Sequence, residues 1–423
     1  MLKSVPQQQV SRGAAIAWVA ASVFYFYQYV MRSAPGVMGP QMAQGLGLTA
    51  AELGGLLALF YYGYAPFSLV AGVLMDRLGP RRVAPAAAAL AGVGCLMYAT
   101  GNAGVASAGA LLQGAGAVFA LITAVYIATT YLPPARVATL IGATQMFGMA
   151  GGSAGQFLAG PAIAGGVPWN LIWLGLGLAG LPLAALLLVT IPAAPKDRAP
   201  PSWAQTLHAI VAVAKNPQSI LCGLIAGLMF MPTTIFSMVW GVRYLQEAHE
   251  MPYMVAVLRS AAVPAGWIIG SPLLGALSDR IGLRRPVIAG AALMLLACLA
   301  LILYAPAGTL PPFSLGLLAG VASGGAMLPY TVIKEANPAE YRGTATGVIG
   351  FINFSLSAVL GPVFGGLLLD ASGGGERELV HYQAAFLPLL FAVALACVLA
   401  LVLRETGAAR ANVAPQSASA LRS

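Results

Sequence analysis

The segment "GVLMDRLGPRR" at residues 72–82 returns as "GALSDRIGLRR" at residues 275–285. A glycine, an aspartate–arginine pair, a second glycine and a closing arginine pair keep the same spacing in both copies. Each copy is a short charged turn pinned between long apolar runs. The chain therefore reads as two related halves, each with the same turn at the same point of its apolar series.

Composition says where those halves sit. Of 423 residues, 59% are hydrophobic and only 8% charged, whereas soluble domains carry about 25% charged residues. A chain so poor in charge belongs in a bilayer, where one helical span takes about 20 apolar residues. Twelve runs qualify, at 14–38, 52–75, 83–101, 105–131, 138–163, 169–191, 218–243, 253–276, 286–305, 313–333, 344–369 and 383–403. Segments in lipid must pair their backbone groups internally, which makes each run a helix. The expected fold is an all-α membrane protein, twelve transmembrane helices in two pseudo-symmetric six-helix bundles. The bundles are expected at 1–191 and 218–404, with a linker at 192–217 and a disordered tail at 405–423. Prolines break the linker, and its "WAQTLHAIVAVAK" stretch reads as a short interfacial helix.

An even number of spans puts both termini on one side. With the N-terminus inside, all of the 21 basic residues except Arg32, Arg243, Arg259 and Arg377 fall on the inner side. Positive loops stay cytoplasmic, so a plasma-membrane (inner-membrane) protein with cytoplasmic termini is expected. The net charge of +9 is scattered among these turns rather than massed, which argues against nucleic acid. Cys95, Cys222, Cys298 and Cys397 stand alone in apolar stretches. No His, Asp, Glu or Cys cluster within the spans suggests a metal, a cofactor or an enzyme. No "GxxxxGK[ST]" loop is present for direct ATP drive.

The spans divide by polarity. The third, sixth, ninth and twelfth are almost free of polar side chains and are expected to face lipid. In the first, Ser22, Tyr25, Tyr29 and Arg32 share a face, with Gln28 beside them. The fifth offers Gln145, Met149, Gly152 and Gln156; the seventh Thr233, Ser237, Trp240 and Tyr244. The tenth offers Ser323, Met327 and Tyr330, the eleventh Gly350, Asn353 and Ser357. Together these faces predict a polar, aromatic-walled cavity. Singly, each polar residue also suits interhelical hydrogen bonding.

Arg32 fits that second reading poorly. It lies about 27 Å along its helix at 1.5 Å per residue, in the outer third of the bilayer. There it either snorkels to the interface or faces inward with the tyrosines. A buried guanidinium suits a carboxylate or phosphate. Arg259, on a face with Val263, Gly266 and Gly270, is a second candidate cation. The candidate solute-binding set is Arg32, Tyr25, Gln28, Tyr29, Gln145, Trp240, Asn353 and Arg259. None of the 12 acidic residues lies mid-span. Moving a lone anion inward against a membrane potential costs about 2.3 kcal/mol per 100 mV. A coupling proton, an exchanged anion or a zwitterionic solute balances the charge, and the sequence leaves these three open.

The repeated turn also carries a resemblance. Gly72, Asp76, Arg77, Gly79, Arg81 and Arg82 match the loop signature of the major facilitator superfamily, and Asp279, Arg280 and Arg284 repeat it. The chain resembles a transporter of that superfamily over essentially its full length. The resemblance implies a gating role for these residues: the aspartate meets the inner end of span eleven and holds the outward-facing state. A carboxylate suits the positive end of a helix. "YQYVMRSAPGVM" at 27–38 resembles the first span of the superfamily's anion-carrying branches, where the matching arginine holds the solute's anionic group. The second arginine that organophosphate carriers place in span seven corresponds to about Thr234, which implies one carboxylate rather than a phosphate ester. "SVFYFYQYVMRSAP" at 22–35 resembles a bacterial subgroup of amino-acid and siderophore importers, which implies tyrosines meeting an ammonium group. Ala110 before "QG" and the loose "GMAGGSAG" at 148–155 depart from the drug-antiporter pattern.

The implied function is a monomeric secondary transporter moving a small carboxylate-bearing solute, an organic anion or amino acid, by alternating access. A multidrug or metabolite efflux antiporter of the same fold is one alternative, though a cation exporter would want an embedded acid. A non-transporting membrane sensor is another, though the loops are short for a signalling domain.

Overall fold

The computed structural model describes residues 12–133, 136–193, 202–305 and 312–407. The first helical series is α1 (Arg12–Ser33), α2 (Pro35–Leu46), α3 (Ala50–Leu78), α4 (Pro80–Ala99), α5 (Ala103–Tyr131), α6 (Val137–Ala164) and α7 (Trp169–Thr190). A connecting helix, α8 (Trp203–Ala214), follows. The second series is α9 (Pro217–Met231), α10 (Gly241–Glu247), α11 (Tyr253–Ile281), α12 (Arg285–Tyr304), α13 (Pro312–Ser323), α14 (Leu328–Glu335), α15 (Arg342–Ser372) and α16 (Leu379–Val402). Among the described residues, eleven segments are long and apolar enough to cross a bilayer, with α9–α10 and α13–α14 each forming one. Helix α6, 28 residues long, stands where the fifth span was expected.

Local chemistry sets the corners. Thr49 and Glu52 start α3 with reciprocal bonds: Glu52 N–H donates to Thr49 Oγ1 at 3.2 Å and Thr49 N–H to Glu52 Oε2 at 2.7 Å. In the repeated turn, Gly79 has φ 78° and Gly282 φ 67°. Only glycine adopts that region without strain, so both copies need it there. Pro80 then opens α4 with its φ already helical.

Two spans leave the α-helical period. A π-helical turn, Pro232–Trp240, joins α9 to α10, and a 3₁₀ turn, Gly324–Met327, joins α13 to α14. The first corrects the face expected in span seven, because the 3.6-residue spacing does not survive a π turn. Thr233 instead meets Ser323 Oγ at 2.9 Å. Ser237 and Ser260 exchange hydroxyl-to-carbonyl bonds at 2.8 Å, and Tyr244 Oη donates to Ile302 O at 2.5 Å. These groups bond neighbouring segments to one another.

The helices pack through small residues. A Cβ on Gly114 of α5 would collide with the Phe60 carbonyl of α3, and one on Gly63 with the Leu111 carbonyl. The two backbones touch, as small residues permit between membrane helices. Helices α7 and α16 carry the expected outward apolar faces: Leu178 and Val189 on one, Phe391 and Val398 on the other, are exposed. Helix α12 exposes Leu293 and Leu301, whereas alanine-rich α4 exposes Val93 alone among its large apolar side chains. The two series meet along α3–α15 and α6–α11. Ser68 Oγ donates to Gly347 O at 3.3 Å in the first crossing, and Ser153 Oγ to Ala261 O at 3.2 Å in the second.

The connecting helix forms where expected, its start capped by Ser202 and Gln205; residues 194–201 of the expected linker lie outside the described residues. The tail departs from expectation at its beginning. Glu405 accepts the backbone N–H groups of Arg284 at 2.7 Å and Arg285 at 2.9 Å, and Thr406 Oγ1 donates to Glu335 Oε2 at 2.5 Å. A carboxylate at the start of α12 offsets unpaired donors there, so this stretch docks. Residues 408–423 lie outside the described residues.

Candidate functional site

Four helical segments converge on two hydrogen-bonded pairs. Tyr25 Oη on α1 donates to Gln145 Oε1 on α6 at 2.7 Å, and Gln145 Nε2 reaches Met327 Sδ at 3.2 Å. Asn353 Nδ2 on α15 donates to Tyr330 Oη on α14 at 3.2 Å. These residues line a cavity of about 1030 Å³, walled further by Tyr29, Tyr64, Phe230, Trp267 and Phe354. The cavity continues to Gly72 and Asp76 on α3, His208 on α8, and Lys334 and Gly343. Asp76 and Gly343 are exposed there, so it opens at the end bearing the basic turns. The far end is shut: Tyr253 Oη donates to Val37 O at 2.7 Å and Gln156 Nε2 to Ser237 O at 3.2 Å.

Arg32 stands behind the closed end of the cavity. It is 7% exposed, so the snorkelling alternative does not describe it. Its guanidinium carbon lies 5.1 Å from the Tyr29 ring centroid, 5.5 Å from Phe60, 4.9 Å from Tyr61, 5.5 Å from Phe230 and 4.9 Å from Phe354. Nε donates to Tyr61 Oη at 3.3 Å, while Nη1 and Nη2 are buried with no hydrogen-bond partner. No ion pair among the described residues reaches Arg32. Each ring gives about 0.5–2 kcal/mol, but rings supply no oxygen acceptors. A buried, unpaired ion costs several kcal/mol. The two terminal nitrogens match the paired oxygens of a carboxylate or sulfonate, a bidentate geometry.

The remaining sequence candidates distribute unevenly. Gln28 is buried with Oε1 unpartnered and lies off the cavity wall. Trp240 lines a small void of about 40 Å³ that it shares with Arg32, Tyr61 and Gln113. Arg259 is half-buried at the far end, its Nη1 2.9 Å from Met251 Sδ, and it lines neither space. Its small-residue neighbours serve helix contact instead: a Cβ on Gly266 would strike the Leu317 carbonyl.

The two charged turns share a glycine with positive φ but differ beyond it: Gly79 has ψ 149° and leads straight into α4, whereas Gly282 has ψ 19° and α12 starts only at Arg285. Gly72 and Asp76 line the cavity mouth, the Arg77 guanidinium lies 4.6 Å from the Trp203 ring centroid, and Arg81 and Arg82 are exposed. In the second copy Asp279 pairs with Arg284, and Arg284 Nη2 also meets Glu335 Oε1 at 3.0 Å. Arg280 is exposed.

Sequence reasoning missed most of the aromatic box. Phe60, Tyr61 and Tyr64 sit in "FYYGY" at 60–64, a cluster visible in the chain but without a polar neighbour to mark it. Phe230 and Phe354 read as ordinary apolar residues. Arg243, buried at 7% exposure, was placed only by its side of the membrane.

The chain belongs to the Major Facilitator Superfamily, whose family model matches residues 21–357. It is similar to the "probable sulfoacetate transporter" of Cupriavidus necator, 25% identical over 378 residues covering 83% of this chain and 86% of that one. It is similar also to the gentisate transporter of Corynebacterium glutamicum, 25% identical over 382 residues, 86% of this chain and 83% of that one. The 3-(3-hydroxy-phenyl)propionate transporter of Escherichia coli is 27% identical over 358 residues, 81% of this chain and 83% of that one. Among solved structures, the fold matches a bacterial homologue of the lysosomal transporter Spinster with a TM-score of 0.73 at 16% identity, covering 93% of this chain and 97% of that one. The three sequence relatives are named as transporters of small organic anions, and the superfamily is one of transporters.

Proposed function

We propose that this chain carries a small organic anion across the bacterial inner membrane by alternating access, with Arg32 gripping the anionic group. One observation carries the reading: the unpartnered Nη1 and Nη2 of Arg32, buried in an aromatic box behind a solute-sized cavity. The printed substrates of the three relatives support it, since sulfoacetate, gentisate and hydroxyphenylpropionate all carry a carboxylate or sulfonate. The aromatic wall favours a solute with an apolar or aromatic body.

The basic end faces the cytoplasm, by the distribution of arginines and lysines. The conformation is then inward-open. Tyr25, Gln145, Asn353 and Tyr330 offer hydrogen bonds to the body of the solute, and Phe354 and Tyr29 stack on it. The two series rock about the α3–α15 and α6–α11 crossings. When the cytoplasmic end closes, Asp76 reaches the N-terminal end of α15, where helix dipole and Arg342 both favour a carboxylate. The monomer is the working unit, and the charge of the solute is balanced by a proton or an exchanged anion.

Uptake into proteoliposomes of sulfoacetate, gentisate, 3-(3-hydroxyphenyl)propionate and a panel of amino acids tests this reading. Wild type takes up at least one organic anion, Arg32→Ala takes up none, and Asp76→Asn binds the anion but cycles slowly. Uptake by Arg32→Ala equal to wild type would refute the assignment.

A further inference from the structure

One buried cation has no part in the site described so far. Arg243, on α10, is 7% exposed. Its guanidinium carbon lies 5.7 Å from the centroid of the Trp240 ring. No described ion pair includes it. Glu247, on the same helix, acts on Arg243 electrostatically together with Arg377 and Tyr382, but its own contacts go to those two: Glu247 Oε2 pairs with Arg377 Nη1 at 3.5 Å and accepts the Tyr382 hydroxyl at 2.5 Å.

Arg243 is covered from the other series. A Cβ on Gly39 of α2 would sit 3.2 Å from Arg243 Nη2 and 3.3 Å from Nε, so this glycine lets α2 lie directly on the guanidinium. Around it, a Cβ on Gly36 would collide with the Met238 carbonyl, and Tyr253 Oη holds Val37 O at 2.7 Å. Together these contacts are the closure of the far end. Alternating access requires that closure to part, and α2 then uncovers Arg243.

Trp240 links this position to the main site. The indole ring carries the Arg243 guanidinium over it, and Trp240 also lines the 40 Å³ void that Arg32 and Tyr61 line. An anion entering from the far side thus meets a cation, an aromatic face and a second cation in succession.

We propose that Arg243 is a second anion-binding station, sealed in the inward-open state and presented to the outside when α2 lifts, which hands a carboxylate or sulfonate past Trp240 to Arg32. The proposal rests on the reading of Arg32 given above and adds a site that only the outward-open protein exposes.

The test uses gentisate and sulfoacetate as probes and a Gly160→Cys/Val257→Cys pair to lock the far end. The Cβ position at Gly160 is 3.6 Å from Val257 Cβ, within the disulfide range of about 3.5–4.5 Å. In right-side-out vesicles of the unlocked protein, Arg243→Gln raises the half-saturating external concentration about tenfold or more, and Arg243→Lys stays near wild type. In the oxidised, locked protein, Arg243→Gln leaves the Kd measured from the open side within about twofold of its parent. An arginine reagent such as phenylglyoxal, added outside, modifies Arg243 in the unlocked protein only, read by peptide mass. This labelling stands even if Arg243→Gln fails to fold. An unchanged external half-saturation, an equal shift in the locked Kd, or labelling that ignores the lock would each overturn the proposal. Normal binding by locked Arg32→Gln would instead overturn the reading of Arg32.

Discussion

The Arg32 guanidinium carbon lies 4.9 Å from the centroid of the Phe354 ring, so a cation from the first helical series is capped by an aromatic from the second. Neither series completes the box by itself: Tyr29, Phe60 and Tyr61 come from one, Phe230 and Phe354 from the other. A box built from both series changes its enclosure with any motion between them, as the proposed alternating access requires.

That sharing makes Phe354 a test of the box. Phe354→Ala opens one wall without touching the charge. The account expects a several-fold rise in the half-saturating anion concentration, with Phe354→Leu intermediate. Arg32→Lys keeps the charge but loses the planar fork, and uptake falls by about tenfold or more, because the paired, parallel N–H···O bonds to the anion are lost. Initial-rate uptake at several anion concentrations separates these effects.

The closed far end yields a second expectation. Oxidising the Gly160→Cys/Val257→Cys protein joins α6 to α11 across the interface between the two series. Transport stops on oxidation and returns on reduction, while binding from the open side persists. Continued transport by fully oxidised protein would show that this contact does not open in the cycle.

The contact between α3 and α5 yields a third. Gly114→Val drives a side chain into the Phe60 carbonyl. Overpacking of this kind costs about 1–3 kcal/mol, seen as a lower apparent Tm by size-exclusion fluorescence. Gly72→Ala has open space around its Cβ in this conformation and leaves Tm unchanged.

Glu405 yields a pH-dependent expectation. Burial pushes its carboxyl up, but the backbone N–H groups of Arg284, Gly407, Arg285 and Thr406 outweigh burial and hold it below the ordinary 4.5. A carboxylate lowered on folding stabilises the protein above 4.5 and loses that contribution as pH falls through its folded value. Glu405→Ala therefore lowers Tm at pH 7, by an amount in keeping with a lost helix cap. The gap to wild type closes as pH drops below 4.5. A gap independent of pH would place the effect elsewhere.

Much of this architecture was legible in the chain. The duplicated turn at 72–82 and 275–285 exposed the twofold plan, because one glycine with positive φ and one aspartate–arginine pair solve the same corner twice. Apolar runs marked the spans, and polar spacing drew Tyr25, Tyr29, Gln145 and Asn353 toward one cavity. What stayed hidden has physical causes. The π turn at Pro232–Trp240 breaks the periodicity on which a face is read, so Thr233 and Ser237 were assigned to the wall they do not form. Phe60, Phe230 and Phe354 are indistinguishable from lipid-facing residues until tertiary packing brings them around a cation. In the sequence Arg259 and Arg243 fall on the same expected side of the membrane, and only packing tells the half-exposed one from the buried one.

The most direct measurement of the central claim is equilibrium binding of gentisate and sulfoacetate to purified, oxidised Gly160→Cys/Val257→Cys protein, with and without Arg32→Gln. The account predicts saturable binding of at least one of these anions by the parent and a loss of about a hundredfold or more in the variant, at unchanged Tm. Equal affinity in the two proteins would contradict it.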